Sequence, residues 1–339
     1  MENRNTVFYT IKGVATNEAP PNNMFYIQEH MGVDFYPSRF EYQGDEIVSA
    51  LINCCVKLYD LFRDKIFQDP QEYELYSLIV PIGIADGGLN SDCAISKKFL
   101  KLFFEGASEE NEIPVRITTP EINRYKFHYA YMVDCQSLVS TLQELILATN
   151  DSFIGFYKLL CAVPDTRAHD NTYFAINSEG RLAFNMLYSL IIQLYSIFDV
   201  TTKIALELEN IKPCENQYIK MASRGKLYGA KKDLKIDKSG TVFESVRALS
   251  IIENLRNELV HNATWEMHPK VFFIKEEGKL IERRIHLPDF TEEGNLVTYK
   301  NRKRFFADGK TVNEELPALY IEVMNRLYRT LNKFLQHGS

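Results

Sequence analysis

The sequence predicts a mainly α fold: a helical bundle with a small β element late in the chain and a helical N-terminal region. Long stretches repeat apolar residues at the three- and four-residue spacing of one buried helix face. Residues 181–211 are apolar on most sides, as in a central core helix. With 339 residues, 45% of them hydrophobic, the chain can form one large domain or two ordinary ones.

The N-terminal half is predicted to be helical after a short extended segment. Residues 1–43 mix strand-like pieces with Pro and Asn, which favours an extended or hairpin lead-in. From Asp45 onward apolar residues follow helical spacing, and Pro70 is expected to end this helix. A further helix is predicted over 93–106. A long helix is predicted over 120–164, either unbroken or interrupted near its central Asn-Asp pair.

A loop separates this half from the second one. Residues 164–180 are rich in turn-forming residues, so we predict two domains, 1–178 and 179–339. No motif indicates a role for the first domain. In the second domain, the core helix 181–211 leads into a polar, basic stretch at 212–240.

The remaining elements alternate between helices and short strands. A helix is predicted over 241–262, with Thr241 as its N-cap. Residues 270–287 predict two short strands around a Glu-Gly pair, and 295–306 predict a further strand. The final helix, 313–336, places apolar residues on one side. These are Leu316, Leu319, Tyr320, Val323, Leu327, Leu331 and Phe334.

Charge is distributed unevenly between the two halves. The formal net charge is -6, which argues against a general nucleic-acid binder. Residues 1–180 hold 14 Lys+Arg and 25 Asp+Glu, a net of -11, and residues 181–339 hold 25 and 20, a net of +5. A polyanion site is therefore expected in the second half, unless acidic and basic faces simply pack near each other.

The composition indicates a cytoplasmic protein without a cofactor. The six cysteines form no CxxC pair and no Cys/His zinc spacing, so we expect free thiols and no metal site. No glycine-rich segment has the spacing of a nucleotide-binding loop. The N-terminus lacks the apolar core of a signal peptide, and no membrane span is expected from the hydropathy.

The helix over 241–262 carries the most informative motif, RNELVH. Asn257 and His261 are four residues apart and share a face, whereas Arg256 lies about 140° around the helix from His261. Arginine binds phosphate through a forked, charged contact, and histidine transfers protons near neutral pH. This combination suits RNA cleavage without a metal, in which the 2′-hydroxyl attacks the phosphate. Otherwise these residues are the incidental polar face of an amphipathic helix.

RNELVH resembles the R-[polar]-x3-H signature of HEPN domains, the helical domains of many prokaryotic ribonucleases and antiphage proteins. The resemblance covers roughly residues 181–339. It implies that Arg256 binds phosphate, His261 transfers the proton and Asn257 orients them. It also implies a homodimer in which both copies form one composite site, and a toxin-like or antiphage role.

A second HEPN motif is matched in part by Asp199 and Lys203. The resemblance implies an acidic residue followed four later by lysine and then arginine, but here Asp replaces the usual Glu and Ile204 replaces the Arg. Because the surrounding helix is apolar, these charges need partners, and Asp199 is a candidate to pair with Arg256. An ordinary i,i+4 ion pair is the alternative.

Two basic stretches are candidate RNA contacts. One precedes the motif helix and the other is the sequence YKNRKRFF near the end of the chain, where aromatic residues flank the cations. The candidate residues are Lys226, Lys231, Lys232, Arg302, Lys303 and Arg304. In the alternative interpretation, the first stretch is a solvated loop and the second is a charged strand edge.

These observations predict a metal-independent endoribonuclease acting on RNA, with an antitoxin or regulatory protein as a further expected partner. The alternative is a non-catalytic helical module that binds RNA or another protein. The RNA target, the activating signal and the role of residues 1–178 are not indicated by the sequence.

Overall fold

A computed structural model describes residues 6–32, 37–67, 120–165, 174–211, 220–266 and 268–336, and the side chains of 120–126 are not described. The helix predicted over 93–106 and the proline expected to end the first helix lie outside these ranges.

The described residues form five helices and nine strands. The helices are α1 (Glu46–Ile66), α2 (Pro120–Ala162), α3 (Ser178–Glu209), α4 (Arg247–Asn262) and α5 (Val312–Gln336), and a 3-10 turn covers Tyr228–Asp233. The strands are β1 (Thr6–Thr10), β2 (Ala15–Thr16), β3 (Tyr26–His30), β4 (Arg39–Tyr42), β5 (Phe174–Ala175), β6 (Val271–Glu276), β7 (Lys279–Arg284), β8 (Thr298–Tyr299) and β9 (Arg302–Lys303).

The prediction of a mainly α bundle with a helical N-terminal region is wrong, because the fold is mixed α/β. The strands form three antiparallel sheets, ordered β2-β1-β3-β4, β5-β6-β7 and β8-β9. The N-terminal segment is a four-stranded sheet, in which alternate residues of β1 are buried. β5 pairs with β6, almost a hundred residues later in the chain. Such distant pairings leave no periodic signal in either strand alone.

The long helices confirm the periodic patterns. α2 runs unbroken through its Asn-Asp pair, where Asn150 accepts a hydrogen bond from the Tyr42 hydroxyl at 2.6 Å. The predicted core helix is α3, and it begins at Ser178, three residues earlier than expected. All seven apolar residues predicted to share one side of α5 are buried.

The chain divides into two compact units, each built from three separate segments. Unit 1 comprises Met1–Leu51, Leu145–Ile197 and Lys238–Thr330. Unit 2 comprises Ile52–Glu144, Phe198–Asp237 and Leu331–Ser339. The segments of these two units alternate along the chain, whereas the predicted domains 1–178 and 179–339 follow one another. The predicted domain boundary stays a prediction.

The core of unit 1 is rich in aromatic contacts. Phe153 stacks on Tyr320 with 4.2 Å between ring centres, and the two ring planes are 9° apart. The buried hydroxyl of Tyr157 donates to the carbonyl of Asn313 at 2.8 Å. The Asn313 amide in turn donates to the carbonyl of Ile11 in the N-terminal segment. These contacts tie the start of α5 to α2 and to the turn that follows β1.

Two helices have the length and composition of membrane spans. They are Phe127–Ala162 within α2 and Ser178–Glu209, which is α3, with mean hydropathies of 1.2 and 1.3 over their most apolar windows. Half of each window is buried inside the protein. This is also the pattern of a core helix, so the expected cytoplasmic location stays a prediction.

Candidate functional site

The motif lies on α4, which begins at Arg247 rather than at residue 241. Its N-cap is Val246, which makes no side-chain capping bond, so the prediction of Thr241 as the N-cap is wrong. The Thr241 hydroxyl donates to the Lys238 carbonyl at 2.6 Å and accepts the N–H of Phe243 at 3.1 Å. These bonds form a turn ahead of the helix, and the polar residue that suggested a cap belongs to that turn.

The C-terminal end of α4 lies where the sequence predicts. The helix ends at Asn262, and Ala263 follows in the left-handed conformation with φ 64°. His261 is therefore in the last turn. Its side chain is exposed, and within the described part of the chain it has no hydrogen-bond or ion-pair partner. The preceding Val260 is 51% exposed, so the helix end presents an imidazole beside an apolar side chain.

Arg256 is held in place by two contacts. Its guanidinium carbon lies 4.7 Å from the centre of the Tyr195 ring on α3, within the range of a cation–π contact. Its Nη1 donates to the Asn257 Oδ1 at 3.1 Å. The structure thus brings Arg256 and Asn257 together, as expected of an amide that orients an arginine. Other guanidinium N–H groups remain to bind an anion.

Arg256 and His261 point in different directions from one helix. They are about 140° apart around the axis and about 7.5 Å apart along it. Arg256 is directed to Tyr195 on α3, whereas His261 stands at the exposed end of α4. Neither residue contacts the other within the described structure.

Glu258 is a residue of this region that the sequence did not reveal. It lies between Arg256 and His261 in the motif, yet it is only 2% exposed. Its carboxylate accepts hydrogen bonds from Lys303 and from Arg304, whose Nε is 2.8 Å away, and from the Asn262 amide at 3.1 Å. Burial alone raises the pKa of Glu258, but the bonds and charges of Lys303 and Arg304 outweigh burial and lower it.

The second basic stretch is therefore partly committed to the fold. Of the candidate RNA contacts there, Lys303 and Arg304 are ion-paired with Glu258. Arg302 and the hairpin tip before it are exposed. Within the described residues, Arg302 makes no ion pair.

Asp199 binds the main chain of the first basic stretch. Its Oδ1 accepts the backbone N–H of Tyr228 at 2.6 Å. Two further carboxylates of α3 act alike: Glu207 accepts the N–H of Ser223 at 2.7 Å, and Glu209 accepts those of Lys235 and Ile236. The charges on this apolar helix are thus matched by backbone donors of the segment that follows it.

The other expectations for the central helix have mixed outcomes. Lys203 is half-buried, and the described residues contain no ion pair between it and Asp199. The expected pairing of Asp199 with Arg256 would join unit 2 to unit 1 and stays a prediction.

The first basic stretch belongs to unit 2. Lys231 lies over the Tyr228 ring, with its Nζ 4.0 Å from the ring centre, and Lys226 and Lys232 are exposed. The second stretch and the motif helix belong to unit 1. RNA binding by the first stretch stays a prediction.

No metal site is evident in the part of the chain that the structure describes, since it contains no group of three His, Cys, Asp or Glu side chains with suitable placement. The four described cysteines, Cys54, Cys55, Cys135 and Cys161, are buried thiols. Burial raises the pKa of Cys55 and of Cys161 to about 12, so neither thiol is activated as a nucleophile.

Comparison with known protein families, with curated proteins and with solved structures finds no match to this chain. The resemblance to HEPN domains accordingly depends on the motif of α4 and its immediate surroundings.

Proposed function

We propose that the chain is a metal-independent endoribonuclease of the HEPN type, with Arg256, Asn257 and His261 as its site. One observation carries the proposal: Arg256 is fixed by Tyr195 and Asn257, while His261 is exposed at the end of the same helix. A fixed cation and an accessible proton-transfer group are the two requirements of 2′-hydroxyl attack on a phosphodiester.

The chemistry breaks one P–O bond and forms another. The ribose 2′-oxygen attacks phosphorus, and its proton passes to an imidazole. The bond from phosphorus to the 5′-oxygen breaks, and that oxygen takes a proton from an acid in the site. The products are a 2′,3′-cyclic phosphate and a 5′-hydroxyl end. Arg256 stabilises the negative charge that develops on the phosphate oxygens.

Two copies of the chain complete the proposed site. In one copy Arg256 and His261 diverge by about 140° around the helix. Two α4 helices that face each other across a two-fold axis bring the arginine of one copy towards the histidine of the other. The exposed Val260, next to His261, supplies apolar surface for such a contact. RNA is the substrate, and toxin-like or antiphage RNA degradation is the proposed role.

The test is an RNA cleavage assay in EDTA with the full chain. His261→Ala and Arg256→Ala are each expected to lower the rate by at least about 100-fold, the first through loss of acid–base catalysis and the second through loss of charge stabilisation. His268→Ala, at a neighbouring exposed histidine, is the matched control and should retain activity. Substrate with a single 2′-deoxyribose at the cut position should resist cleavage. Activity that requires added divalent metal, or a fully active His261→Ala protein, contradicts the proposal.

A non-catalytic binding module is the second candidate, and one observation favours it. Arg256 contacts Tyr195 on α3 while His261 stands at the exposed helix end, so within one copy the two side chains do not form a shared site. Tight RNA binding with no cleavage under any condition, unchanged by His261→Ala, would identify this alternative.

A further inference from the structure

The hairpin formed by β8 and β9, residues 298–303, projects from the region next to the motif helix. Its two strands pair Thr298 with Lys303 and Tyr299 with Arg302, leaving a two-residue tip. All six residues are exposed, and the Tyr299 side chain is 63% exposed. An exposed aromatic ring among cations next to the tip of a short hairpin does not contribute to a core.

The hairpin tip has a backbone conformation that its lysine does not favour. Lys300 and Asn301 have φ 45° and 63°, the left-handed conformation at both central positions of a tight turn. Arg304, just after β9, has φ 73°. A lysine or arginine in this region costs free energy, and such residues persist where surrounding contacts hold them.

Glu258 supplies those contacts from the motif helix. Its buried carboxylate binds Lys303 and Arg304 at the base of the hairpin. The same carboxylate accepts from Asn262, the residue after His261. One side chain therefore joins the base of the hairpin to the helix end that carries His261. Asp289 strengthens the base, since it accepts the N–H groups of Ala307 and Asp308 at 2.8 and 3.1 Å.

We propose that the β8–β9 hairpin, fixed beside the motif helix by Glu258, binds unpaired RNA through stacking on Tyr299 and phosphate contacts of Arg302 and Lys300. This inference rests on the proposed function and names its substrate class. A base in a duplex is already stacked on its neighbours, so only an unpaired base offers its face to an exposed ring. The Lys300 ammonium lies over the Tyr299 ring, 5.3 Å from its centre, so a base stacks on the opposite ring face.

Binding is measured by fluorescence anisotropy with the full chain and a labelled 12-nucleotide RNA carrying 2′-O-methyl riboses, which cannot be cleaved by 2′-hydroxyl attack. Tyr299→Ala is expected to weaken binding about tenfold, and Tyr299→Phe less than threefold, because stacking uses the ring face. Arg302→Ala should weaken binding a few-fold and reduce the salt dependence by about one charge. Neither side chain is buried, so the three variants retain the fold.

The matched control lies on the β6–β7 hairpin, a second tight hairpin of unit 1. Lys279→Ala, at the exposed start of β7, removes a cation beside a turn of the same kind and should leave binding unchanged. A 12-base-pair RNA duplex should bind more weakly and without dependence on Tyr299.

Three outcomes overturn the inference. The first is that Tyr299→Ala and Arg302→Ala bind unpaired RNA as tightly as the wild type does. The others are that an RNA duplex, or polyglutamate, binds with the same dependence on Tyr299. The last would indicate an acidic protein partner. The proposed function fails separately. If the wild type binds unpaired RNA through Tyr299 but never cleaves RNA in EDTA, the endoribonuclease proposal is wrong and the hairpin inference stands.

Discussion

Arg256 lies over the ring of Tyr195, with 4.7 Å between the guanidinium carbon and the ring centre, and this contact directs the arginine away from the solvent end of its helix. Tyr195→Ala should therefore lower RNA cleavage by roughly 2- to 30-fold, the equivalent of about 0.5–2 kcal/mol. Tyr195→Phe keeps the ring and should stay within about twofold of the wild type.

A measurement that does not depend on activity distinguishes a displaced Arg256 side chain from a general loss of folding in Tyr195→Ala. Phenylglyoxal modification of Arg256, followed by mass spectrometry, should be faster in Tyr195→Ala than in the wild type. In the Arg256→Ala background, Tyr195→Ala should have no further effect on cleavage. Additive losses in the double variant would show that Tyr195 acts independently of Arg256.

Glu258 makes the stability of unit 1 depend on pH. Its pKa is lowered in the folded state, so its carboxylate contributes stability above the unfolded pKa of about 4.3, and this contribution is lost as the pH falls through the folded value. Glu258→Gln should be less stable than the wild type by about 1–3 kcal/mol at pH 7, because two cations lose their counter-charge. Urea unfolding at pH 7, 5 and 3.5 should show this difference narrowing at the lowest pH.

Glu253→Gln is the control for this pH effect, since Glu253 lies on the same helix and is half-buried. Its stability difference from the wild type should be small at every pH. A difference for Glu258→Gln that stays constant from pH 7 to pH 3.5 would contradict the assignment of the ion pairs.

Gly294, in the loop before β8, lies against the first turn of the motif helix. It has φ +87°, and a Cβ there would lie 2.4 Å from the carbonyl oxygen of Arg247. Gly294→Ala should lose about 2–5 kcal/mol in the free energy of unfolding, from the left-handed backbone and the clash together. Gly278, with φ +80° and open space around it, isolates the backbone cost: Gly278→Ala should lose only about 1–2 kcal/mol. Equal losses would show that the clash is relieved without cost.

Mixed dimers test the composite site. If each site takes its arginine from one copy and its histidine from the other, a mixture of Arg256→Ala and His261→Ala chains should recover activity that neither chain has alone. Co-expression with two affinity tags allows the mixed species to be purified and assayed in EDTA. Purified mixed dimers as inactive as either variant, or an active wild type that is monomeric at the assay concentration, would contradict the two-copy site.

Local periodicity explains which elements were predictable. The apolar stripe of α5 and the apolar sides of α3 are repeated over many turns, so neighbouring residues alone define those helices. The end of α4 was also predictable, and the His261 position in its last turn follows from it. The N-terminal sheet was predicted only as an extended or hairpin lead-in, because its strands have two to five residues and their pairing partners lie outside any local window.

Burial by distant residues explains what the site prediction lacked. Glu258 lies at the edge of the apolar stripe of α4, seven residues after Ile251, but the cations that pair with it lie 45 and 46 residues away. The same separation concealed the fact that Lys303 and Arg304 are ion-paired. Asp199 accepts the backbone N–H of Tyr228, a contact that no spacing of side chains encodes.

Three carboxylates of α3 accept hydrogen bonds from the main chain of the segment at 223–236. The path of that segment is consequently insensitive to many substitutions along it. The exposed charged side chains of the segment can therefore be substituted, in evolution or by design, without a change in the backbone path.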